Sequence, residues 1–280
     1  MRVTIFGATG LLGKALVREW REDEVTALGS HHVDIRSEEQ VLRMVTQHRP
    51  EWIILAAAYT DVDGCETHRD LAFDVNCQGA ANVAQAAARH GSRLIFLSTD
   101  YVFDGNQRTP YEIDDAISPQ SVYGKSKAAA EQEVHKILAQ ACTLRTSWVF
   151  GVDGKCFPDT ILKLAGSRDH LEVVNDQRGC PTYTVDLARA IIQLCRKEAS
   201  GIVHATNEGD CTWFDFACAI VKAAGLKTRV LPTSSERFIR PAPRPQYSVL
   251  SRASLAPYGI AMPSWQNALA RYLEERKPAA

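Results

Sequence analysis

The first half of the chain alternates short apolar runs with longer segments of helical periodicity. The apolar runs predict five strands, at residues 2–6, 24–28, 52–55, 93–98 and 142–145. Apolar positions three and four residues apart predict helices at residues 11–20, 37–48, 70–89 and 121–139. Strands that alternate with helices form right-handed crossovers, so we expect a doubly wound α/β domain whose parallel sheet is covered on both faces.

After about residue 152 the pattern changes, because proline and glycine become denser and the strands shorter. Helical periodicity recurs at residues 157–165, 184–196 and 212–224. Residues 231–245 carry four prolines, which predicts an ordered surface loop. We therefore expect a first domain over residues 1–152 and a smaller, mainly C-terminal α/β domain over residues 153–280. The pattern leaves open whether the chain crosses back to the first domain.

The composition is that of an ordinary globular protein, since 45% of the 280 residues are hydrophobic and 23% are charged. Thirty-two basic and 33 acidic side chains leave a net charge of −1, which would not attract a polyanion such as nucleic acid. No apolar stretch approaches the roughly 20 residues that a membrane helix needs. Gly7 and Gly10 interrupt the place of a signal peptide's apolar core, so we expect a cytoplasmic protein.

The eight cysteines show no C-x-x-C pair and no spacing typical of zinc ligands. Some of them, such as Cys142 and Cys195, lie in apolar segments, where a thiol behaves as a small hydrophobic side chain. A chain of this length does not need disulfides to stabilise its core, so we expect free thiols.

The first predicted strand ends in a glycine loop that opens the first predicted helix. Gly7, Gly10 and Gly13 stand at regular intervals of three. Gly7 would allow the tight turn, Gly10 the approach of backbone to a pyrophosphate, and Gly13 the close packing of helix on strand. The free N–H groups of the helix N-terminus would hold the diphosphate, so we predict a Rossmann-type dinucleotide site in the first domain.

The end of the second predicted strand bears on the choice of cofactor. NAD-selective sites place an acidic residue about 20 residues after the glycine loop, where it holds a ribose hydroxyl. Here Gly29 stands at that point and would not repel a 2′-phosphate. His31, His32 and Arg36 follow and would attract one. We therefore expect NADPH as the cofactor, with NADH also accepted, and Asp34 close to the adenine.

Tyr123 and Lys127 form a Tyr-x-x-x-Lys pair on the predicted helix 121–139, where the spacing puts both side chains on one face. A lysine ammonium close to a phenol lowers the tyrosine pKa, so the pair can exchange a proton with a carbonyl or alcohol near neutral pH. Thr99 follows the fourth predicted strand. Since ligands of open α/β sheets bind beyond the carboxyl ends of the strands, Thr99 would hold the substrate oxygen that Tyr123 protonates.

Several motifs in chain order carry a family resemblance: residues 7–13, 56–63, 98–105, 123–127, 145–151, 176–182 and 244–245. In this combination the chain resembles an extended short-chain dehydrogenase/reductase, specifically the dTDP-4-dehydrorhamnose reductase family, from residue 3 to about residue 265. The resemblance implies that a hydride passes from the nicotinamide to C4 of a dTDP-sugar. It also implies the product, since the family converts dTDP-4-dehydro-β-L-rhamnose into dTDP-L-rhamnose.

The resemblance further implies roles for single residues. The positions that match the family's cofactor site are Gly10, Leu11 and Leu12 at the diphosphate, Asp34 and Ile35 at the adenine, and Ala58, Tyr59 and Thr60 at the nicotinamide ribose. Thr99, Tyr123 and Lys127 match the catalytic residues, and Lys127 would also hold the ribose hydroxyls. Asp100 and Trp148, together with Thr99, match residues that face the sugar nucleotide.

Two of the candidate substrate residues have alternative roles. Trp148 either packs against the sugar or base, or is a core tryptophan after the fifth strand. Arg244 either pairs with the substrate diphosphate, which a guanidinium binds through two parallel hydrogen bonds, or is a solvated arginine.

The chain also departs from the family pattern after the glycine loop. Some members carry acidic residues there that join a metal-linked dimer, whereas this chain has Lys14 and Ala15. We therefore expect no metal and no dimer of that kind. The expected state is a monomer or a weak homodimer, with a dTDP-sugar as the substrate.

Related activities would leave different signatures. Sugar dehydratases that resemble this fold place Asp-Glu after the catalytic threonine, but here Tyr101 follows Asp100, which disfavours dehydration. A reductase or epimerase of another 4-keto nucleotide sugar would use the same tyrosine and lysine and stays open. The other alternative is a non-catalytic NADP-binding regulatory subunit, similar to the β subunit of methionine adenosyltransferase. Since Thr99, Tyr123 and Lys127 are all present, nothing in the sequence indicates lost catalysis.

Overall fold

The apolar runs form strands and the periodic segments form helices in the computed structural model, which describes residues 1–276. The strands are β1 (Arg2–Phe6), β2 (Glu24–Leu28), β3 (Trp52–Leu55), β4 (Arg93–Thr99), β5 (Cys142–Thr146), β6 (Val149–Phe150), β7 (His170–Val174), β8 (Arg178–Gly179), β9 (Thr182–Tyr183), β10 (Gly201–His204), β11 (Cys211–Thr212) and β12 (Arg229–Thr233). The α-helices are α1 (Leu11–Glu19), α2 (Glu38–His48), α3 (Val62–Thr67), α4 (Arg69–Phe73), α5 (Gly79–His90), α6 (Val122–Ile137), α7 (Phe157–Ala165), α8 (Thr184–Arg196), α9 (Trp213–Ala223) and α10 (Trp265–Glu275).

A six-stranded sheet lies at the centre of the first unit, in the order β10-β5-β4-β3-β1-β2. Every neighbouring pair is parallel. The strands β3 and β4 are buried on both faces, as expected of central strands in a parallel sheet, which explains their continuous apolar sequence. The predicted doubly wound parallel sheet is thereby confirmed.

Helices cover both faces of this sheet. On one face α1 and α8 pack against the strands, with Leu16 and Ile191 in a shared core. On the other face α2, α5 and α6 contribute Val41, Ala84 and Val134 to a second core. The amphipathic periodicity of these helices therefore corresponds to burial of one stripe on the sheet.

The chain returns to the first unit after residue 152. The strand β10 pairs with β5, with Gly201 opposite Cys142, and α8 covers one face of the same sheet. The rest of the C-terminal part forms a smaller unit around Phe150, Phe216 and Tyr272, with α7, α9 and α10 packed around them. Three two-stranded ladders complete this unit: β7 with β12, β6 with β9, and β8 with β11.

The segment predicted as one helix over residues 70–89 is interrupted. It consists of α4, a π-helical turn at Asp74–Gln78, and α5. The turn directs the buried Asn76 towards the loop after β3, with hydrogen bonds to the backbone of Tyr59. A single inserted π turn often marks a functional position, and the hydrophobic pattern did not predict it.

The prediction of a loop over residues 231–245 was wrong at its beginning. Residues 229–233 form β12, which pairs in parallel with β7, Leu231 opposite Glu172. Proline is tolerated in a strand with a free edge, and β12 has only one neighbour, so Pro232 does not prevent pairing. The short helix α3 was also not predicted; Asp61 caps its first turn by accepting the N–H of Gly64 at 2.9 Å.

None of the helices within residues 1–276 has the length and apolar character needed to span a bilayer. The eight cysteines are free thiols.

Candidate active site

The glycine loop between β1 and α1 is built on close backbone contacts. Gly7 has a positive φ of 88°, and a Cβ there would lie 2.4 Å from the backbone nitrogen of Ala57. A Cβ on Gly13 would lie 2.0 Å from the carbonyl oxygen of Gly7. Gly10 is the N-cap of α1 and offers no side chain to its first turn. The free N–H groups at this helix end therefore remain open to a ligand anion.

This loop borders a cavity of about 510 Å³ that extends along the carboxyl ends of β1, β2 and β3. Six of the predicted cofactor residues line it: Gly7, Gly10, Asp34, Ile35, Ala58 and Tyr59. Leu11, Leu12, Gly13 and Thr60 adjoin these residues in the chain but do not line the cavity. The N-terminus of α1 has no capping side chain, so its N–H groups can bind a diphosphate. Together with the apolar walls of the cavity, this helix end fits a dinucleotide.

The adenine end of the cavity carries no free carboxylate. The carboxylate of Asp34 is bound by the guanidinium of Arg36, with Nη2 to Oδ2 at 2.6 Å and Nε to Oδ1 at 3.0 Å. These hydrogen bonds hold the pKa of Asp34 below its usual value. Gly29 donates its N–H to Nδ1 of His32 at 3.1 Å, and His31 lies against the same turn. Arg36, which we expected from the sequence to attract a 2′-phosphate, is therefore paired with Asp34 and neutralises its carboxylate.

Thr99 ends β4 and begins the turn Asp100–Val102. Its hydroxyl donates to Oδ1 of Asp100 at 3.0 Å and accepts the N–H of Tyr101 at 3.2 Å. Asp100 is only 2% exposed, and its Oδ2 has no partner among the described residues. Burial raises the pKa of Asp100 to about 6, although the side chains of Ser248 and Thr99 oppose the shift.

Tyr123 stands in the first turn of α6, close to Thr99. Ser121 caps this helix by accepting the N–H of Gly124 at 3.1 Å. A Cβ on Gly124 would lie 2.2 Å from the carbonyl oxygen of Tyr101, so the helix begins directly against the turn after β4. Burial raises the pKa of the Tyr123 phenol, with the Thr99 side chain opposing the shift. The phenol is therefore protonated in the free protein and can act as a proton donor.

Lys127 lies one helical turn further along α6 and is 2% exposed. Its Nζ sits 4.1 Å from the ring centroid of Phe96. Burial lowers the pKa of Lys127 to about 7, and the nearby charge of Glu131 opposes the shift. The carboxylate of Glu131 is itself held by Arg145 at 2.7 Å and by the hydroxyl of Ser98 at 2.5 Å.

The buried lysine should cost the free protein stability. We expect Lys127→Met, which nearly conserves volume, to raise the melting temperature of the cofactor-free protein while it removes turnover. Because the folded-state pKa lies below the unfolded value, the penalty is complete below about pH 7 and shrinks as the pH rises towards the unfolded pKa. Thermal melts between about pH 6 and about pH 9 should therefore show a difference that narrows with increasing pH.

Lys125→Met, on the exposed face of the same helix, is the matched control and should give the same melting temperature as wild type throughout. A constant difference for Lys127→Met across the pH range would mean that the lysine remains charged in the folded protein.

Asn76 is a site residue that the sequence did not indicate. Its amide accepts the N–H of Tyr59 at 2.8 Å, and it donates to the Tyr59 carbonyl at 3.1 Å and to the hydroxyl of Ser126 at 2.9 Å. It thus ties the stretch after β3 to the helix that carries Tyr123 and Lys127. A single asparagine in an apparently regular helix has no sequence signal for such a role.

The two remaining candidates, Trp148 and Arg244, each contact other side chains of the protein. Trp148 has a positive φ of 46°, a strained value for a bulky residue, and stacks on Trp213 with ring centroids 3.4 Å apart. A Cβ on Gly179 would come within 2.6 Å of the Trp148 ring. Arg244 forms an ion pair with Asp63 at 3.0 Å. Neither of its two predicted roles included this partner.

A second cavity of about 870 Å³ lies against Cys180, Asp210 and Arg252 and contains none of the predicted site residues. Over residues 1–276, no group of three or more His, Cys, Asp or Glu side chains could hold a metal ion.

A doubly wound parallel sheet, a glycine loop after its first strand, and a buried Tyr-x-x-x-Lys pair beside the strand-end threonine define an extended short-chain dehydrogenase/reductase. Comparison with known proteins narrows this class. The RmlD substrate binding domain family matches residues 1–277. The spore coat polysaccharide biosynthesis protein SpsK of Bacillus subtilis (strain 168) is 40% identical over 280 residues, which cover 99% of both chains.

A dTDP-4-dehydrorhamnose reductase of Mycobacterium tuberculosis (strain H37Rv) is 40% identical over 282 residues, covering 97% of this chain and 92% of that protein. Among solved structures, the dTDP-4-dehydrorhamnose reductase of Bacillus anthracis in complex with NADP superposes with a TM-score of 0.96 at 40% identity, covering 98% of this chain and 99% of that one. The chain belongs to the RmlD family of dTDP-4-dehydrorhamnose reductases and is an oxidoreductase. The predicted family and enzyme class are thereby confirmed.

Proposed function

We propose that this protein reduces the 4-keto group of dTDP-4-dehydro-L-rhamnose to give dTDP-L-rhamnose, with NADPH as the reductant. The observation that carries the proposal is the junction between β4 and α6, where Thr99 and the protonated Tyr123 meet. Tyr123 packs in one cluster with Tyr59, which lines the dinucleotide cavity. The activity of relatives with about 40% identity over nearly the whole chain supports the same substrate class.

The cofactor would occupy the cavity along β1, β2 and β3. Its diphosphate would lie on the N–H groups at Gly10, Leu11 and Leu12, between the backbone contacts that Gly7 and Gly13 permit. When bound, the dihydronicotinamide supplies the hydride for C4 of the sugar. Because the carboxylate near the adenine is neutralised by Arg36, the site would accept the 2′-phosphate of NADPH and also NADH. The NADP complex of the Bacillus anthracis relative supports the first of these.

Tyr123 would donate its phenolic proton to the oxygen of the former keto group. The Thr99 hydroxyl, which donates to Asp100 in the free protein, would turn its single proton to the same oxygen. The ammonium form of Lys127 would stabilise the phenolate that remains and hold the ribose hydroxyls. The unpartnered Oδ2 of Asp100 would accept a hydrogen bond from a sugar hydroxyl, and Trp148 would face the sugar nucleotide.

The direct test is oxidation of NADPH and of NADH by the purified protein with dTDP-4-dehydro-L-rhamnose, followed by the absorbance of the reduced nicotinamide. We expect turnover with both cofactors, a higher kcat/KM with NADPH, and dTDP-L-rhamnose as the product identified by NMR. The matched control substrate is dTDP-4-dehydro-6-deoxy-D-glucose, which carries the same ketone on a different sugar.

Faster reduction of the control sugar would reassign the substrate within the same chemistry. Interconversion of two nucleotide sugars without net consumption of NADPH would indicate an epimerase. Cofactor binding with no turnover of either sugar would contradict the proposal and favour a regulatory subunit.

A further inference from the structure

Asp63 holds one end of the Arg244 guanidinium. Nη1 donates to Oδ1 and Nη2 to Oδ2, each at 3.0 Å, and Nη1 also donates to the carbonyl oxygen of Ala242 at 3.0 Å. The backbone N–H of Ala242 donates to Oδ1 of Asp63 at 3.2 Å. The hydrogen bond from Arg244 is the main reason why the pKa of Asp63 lies below its usual value. Both side chains are less than a quarter exposed, so water screens this pair less than a surface ion pair.

These contacts leave the other edge of the guanidinium open. A guanidinium has five N–H donors, of which these bonds use both on Nη1 and one on Nη2. Nε–H and the second Nη2–H have no acceptor among residues 1–276. They point in parallel along one edge of the planar group, which is the arrangement that binds phosphate oxygens in pairs.

The chain places this open edge next to the catalytic segment. Arg244 acts electrostatically on the phenol of Tyr101, whose ring packs edge-on against Tyr123 at 5.8 Å. The residues after Arg244 follow the same segment: a Cβ on Gly105 would touch Pro245 at 2.5 Å, and Gly105 accepts the backbone N–H of residue 247 at 3.2 Å. The arginine therefore lies near Tyr101, the aromatic neighbour of Tyr123.

Asp63 comes from the opposite side of the site. It lies on α3, a few residues after Ala58 and Tyr59, which line the dinucleotide cavity. The pair thus joins residues 181 positions apart, one on the cofactor side and one on the substrate side. A free arginine side chain samples many rotamers, whereas one held at two nitrogens has lost that freedom before a ligand arrives.

We propose that Asp63 is a positioning residue for the substrate: it fixes the guanidinium of Arg244 so that the Nε–Nη2 edge binds the diphosphate of the dTDP-sugar. The inference rests on the proposed function, which supplies the diphosphate. Asp63 itself does not touch the ligand, so its effect passes entirely through Arg244.

The test measures dTDP binding to the full chain by calorimetry, without any turnover. We expect Asp63→Asn to weaken dTDP binding by about tenfold, through loss of the charge that orders the arginine. Arg244→Ala should weaken it further, and the double variant should bind no more weakly than Arg244→Ala alone, because the two residues act as one unit. With dTDP-sugar, Asp63→Asn should raise KM by a similar factor and leave kcat and the Kd of NADPH unchanged.

Two further variants test whether dTDP binding depends on the position of the Arg244 guanidinium or only on positive charge near Asp63. Arg244→Lys keeps the ion pair with Asp63 but removes the two-donor edge, and should weaken dTDP binding as much as Arg244→Ala. Arg240→Ala is the control, because Arg240 is exposed and reaches Asp63 only at 3.5 Å; its dTDP affinity should match wild type.

An Asp63→Asn variant that binds dTDP with wild-type affinity would overturn the inference. The inference would also fail if the double variant lost as much binding free energy as Asp63→Asn and Arg244→Ala lose together. Equal losses in Arg240→Ala would show that only net charge matters. The proposed function would be contradicted by a different result, namely a wild-type protein that binds dTDP but reduces no dTDP-sugar. In that case the dTDP affinities of the variants could still be compared with that of the wild type. A wild-type protein that does not bind dTDP would overturn both.

Discussion

Substituting Tyr123 by Phe should reduce kcat by about 10²–10⁴-fold, the usual contribution of a positioned proton donor. The phenol is the group that meets Thr99 at the end of β4, and burial keeps it protonated in the free protein. The ring would remain, so its packing against Tyr101 would persist. We therefore expect the Kd of NADPH, measured by fluorescence titration, to stay at its wild-type value while NADPH oxidation with dTDP-4-dehydro-L-rhamnose almost disappears.

The matched control is Tyr258→Phe, since the Tyr258 hydroxyl makes only a long contact of 3.5 Å with a backbone carbonyl far from the site. It should retain full activity. Substantial turnover in Tyr123→Phe would mean that another group, such as a water molecule, delivers the proton.

The second large effect concerns the buried ion pair behind Lys127. Glu131→Gln should lower the free energy of unfolding by about 3–5 kcal/mol, because it leaves the guanidinium of Arg145 buried without its carboxylate. Arg145 and Glu131 are 2% and 5% exposed, and they are joined by two hydrogen bonds of 3.0 and 2.7 Å. Urea denaturation at neutral pH measures the change directly.

Glu133→Gln on the same helix is the control. Glu133 is exposed and pairs with Lys136 at 3.7 Å, so its removal should change stability by less than about 0.5 kcal/mol. Replacing both buried partners, in Glu131→Leu with Arg145→Met, should recover much of the loss of the single variant. A change below about 1 kcal/mol in Glu131→Gln would show that water reaches Arg145 and solvates it.

Much of the fold was predictable because its signals are local. The five strands of the first half coincide with the predicted runs to within one residue at each end. The helix predicted from residue 37 begins there, with Ser37 as the N-cap of α2 and its hydroxyl accepting the Gln40 N–H at 3.3 Å. The Gly13 position is required by a close contact with the carbonyl oxygen of Gly7, six residues earlier, so the glycine spacing can be recognised from sequence. The i, i+4 spacing of a catalytic pair on one helix face is local in the same way.

The sequence left a point open, or was wrong, where pairing partners are distant. It left open whether the chain crosses back, and β10 enters the first sheet from residue 201, which no periodicity could assign to a particular neighbour. Likewise β12 was mistaken for a loop, because Pro232 and the prolines that follow the strand are a local signal, while its pairing with β7 is set by the rest of the smaller unit.

The sequence by itself determined the fold class, the glycine loop after β1 and the Tyr-x-x-x-Lys pair on α6, since each is a local pattern in the chain. Tertiary structure alone decided the environment of these groups. It placed Asn76 between the stretch after β3 and α6, buried Lys127 beside Glu131, and brought Asp63 to Arg244 across 181 positions. Burial and pairing depend on which distant segments pack together, and that packing is a property of the whole chain.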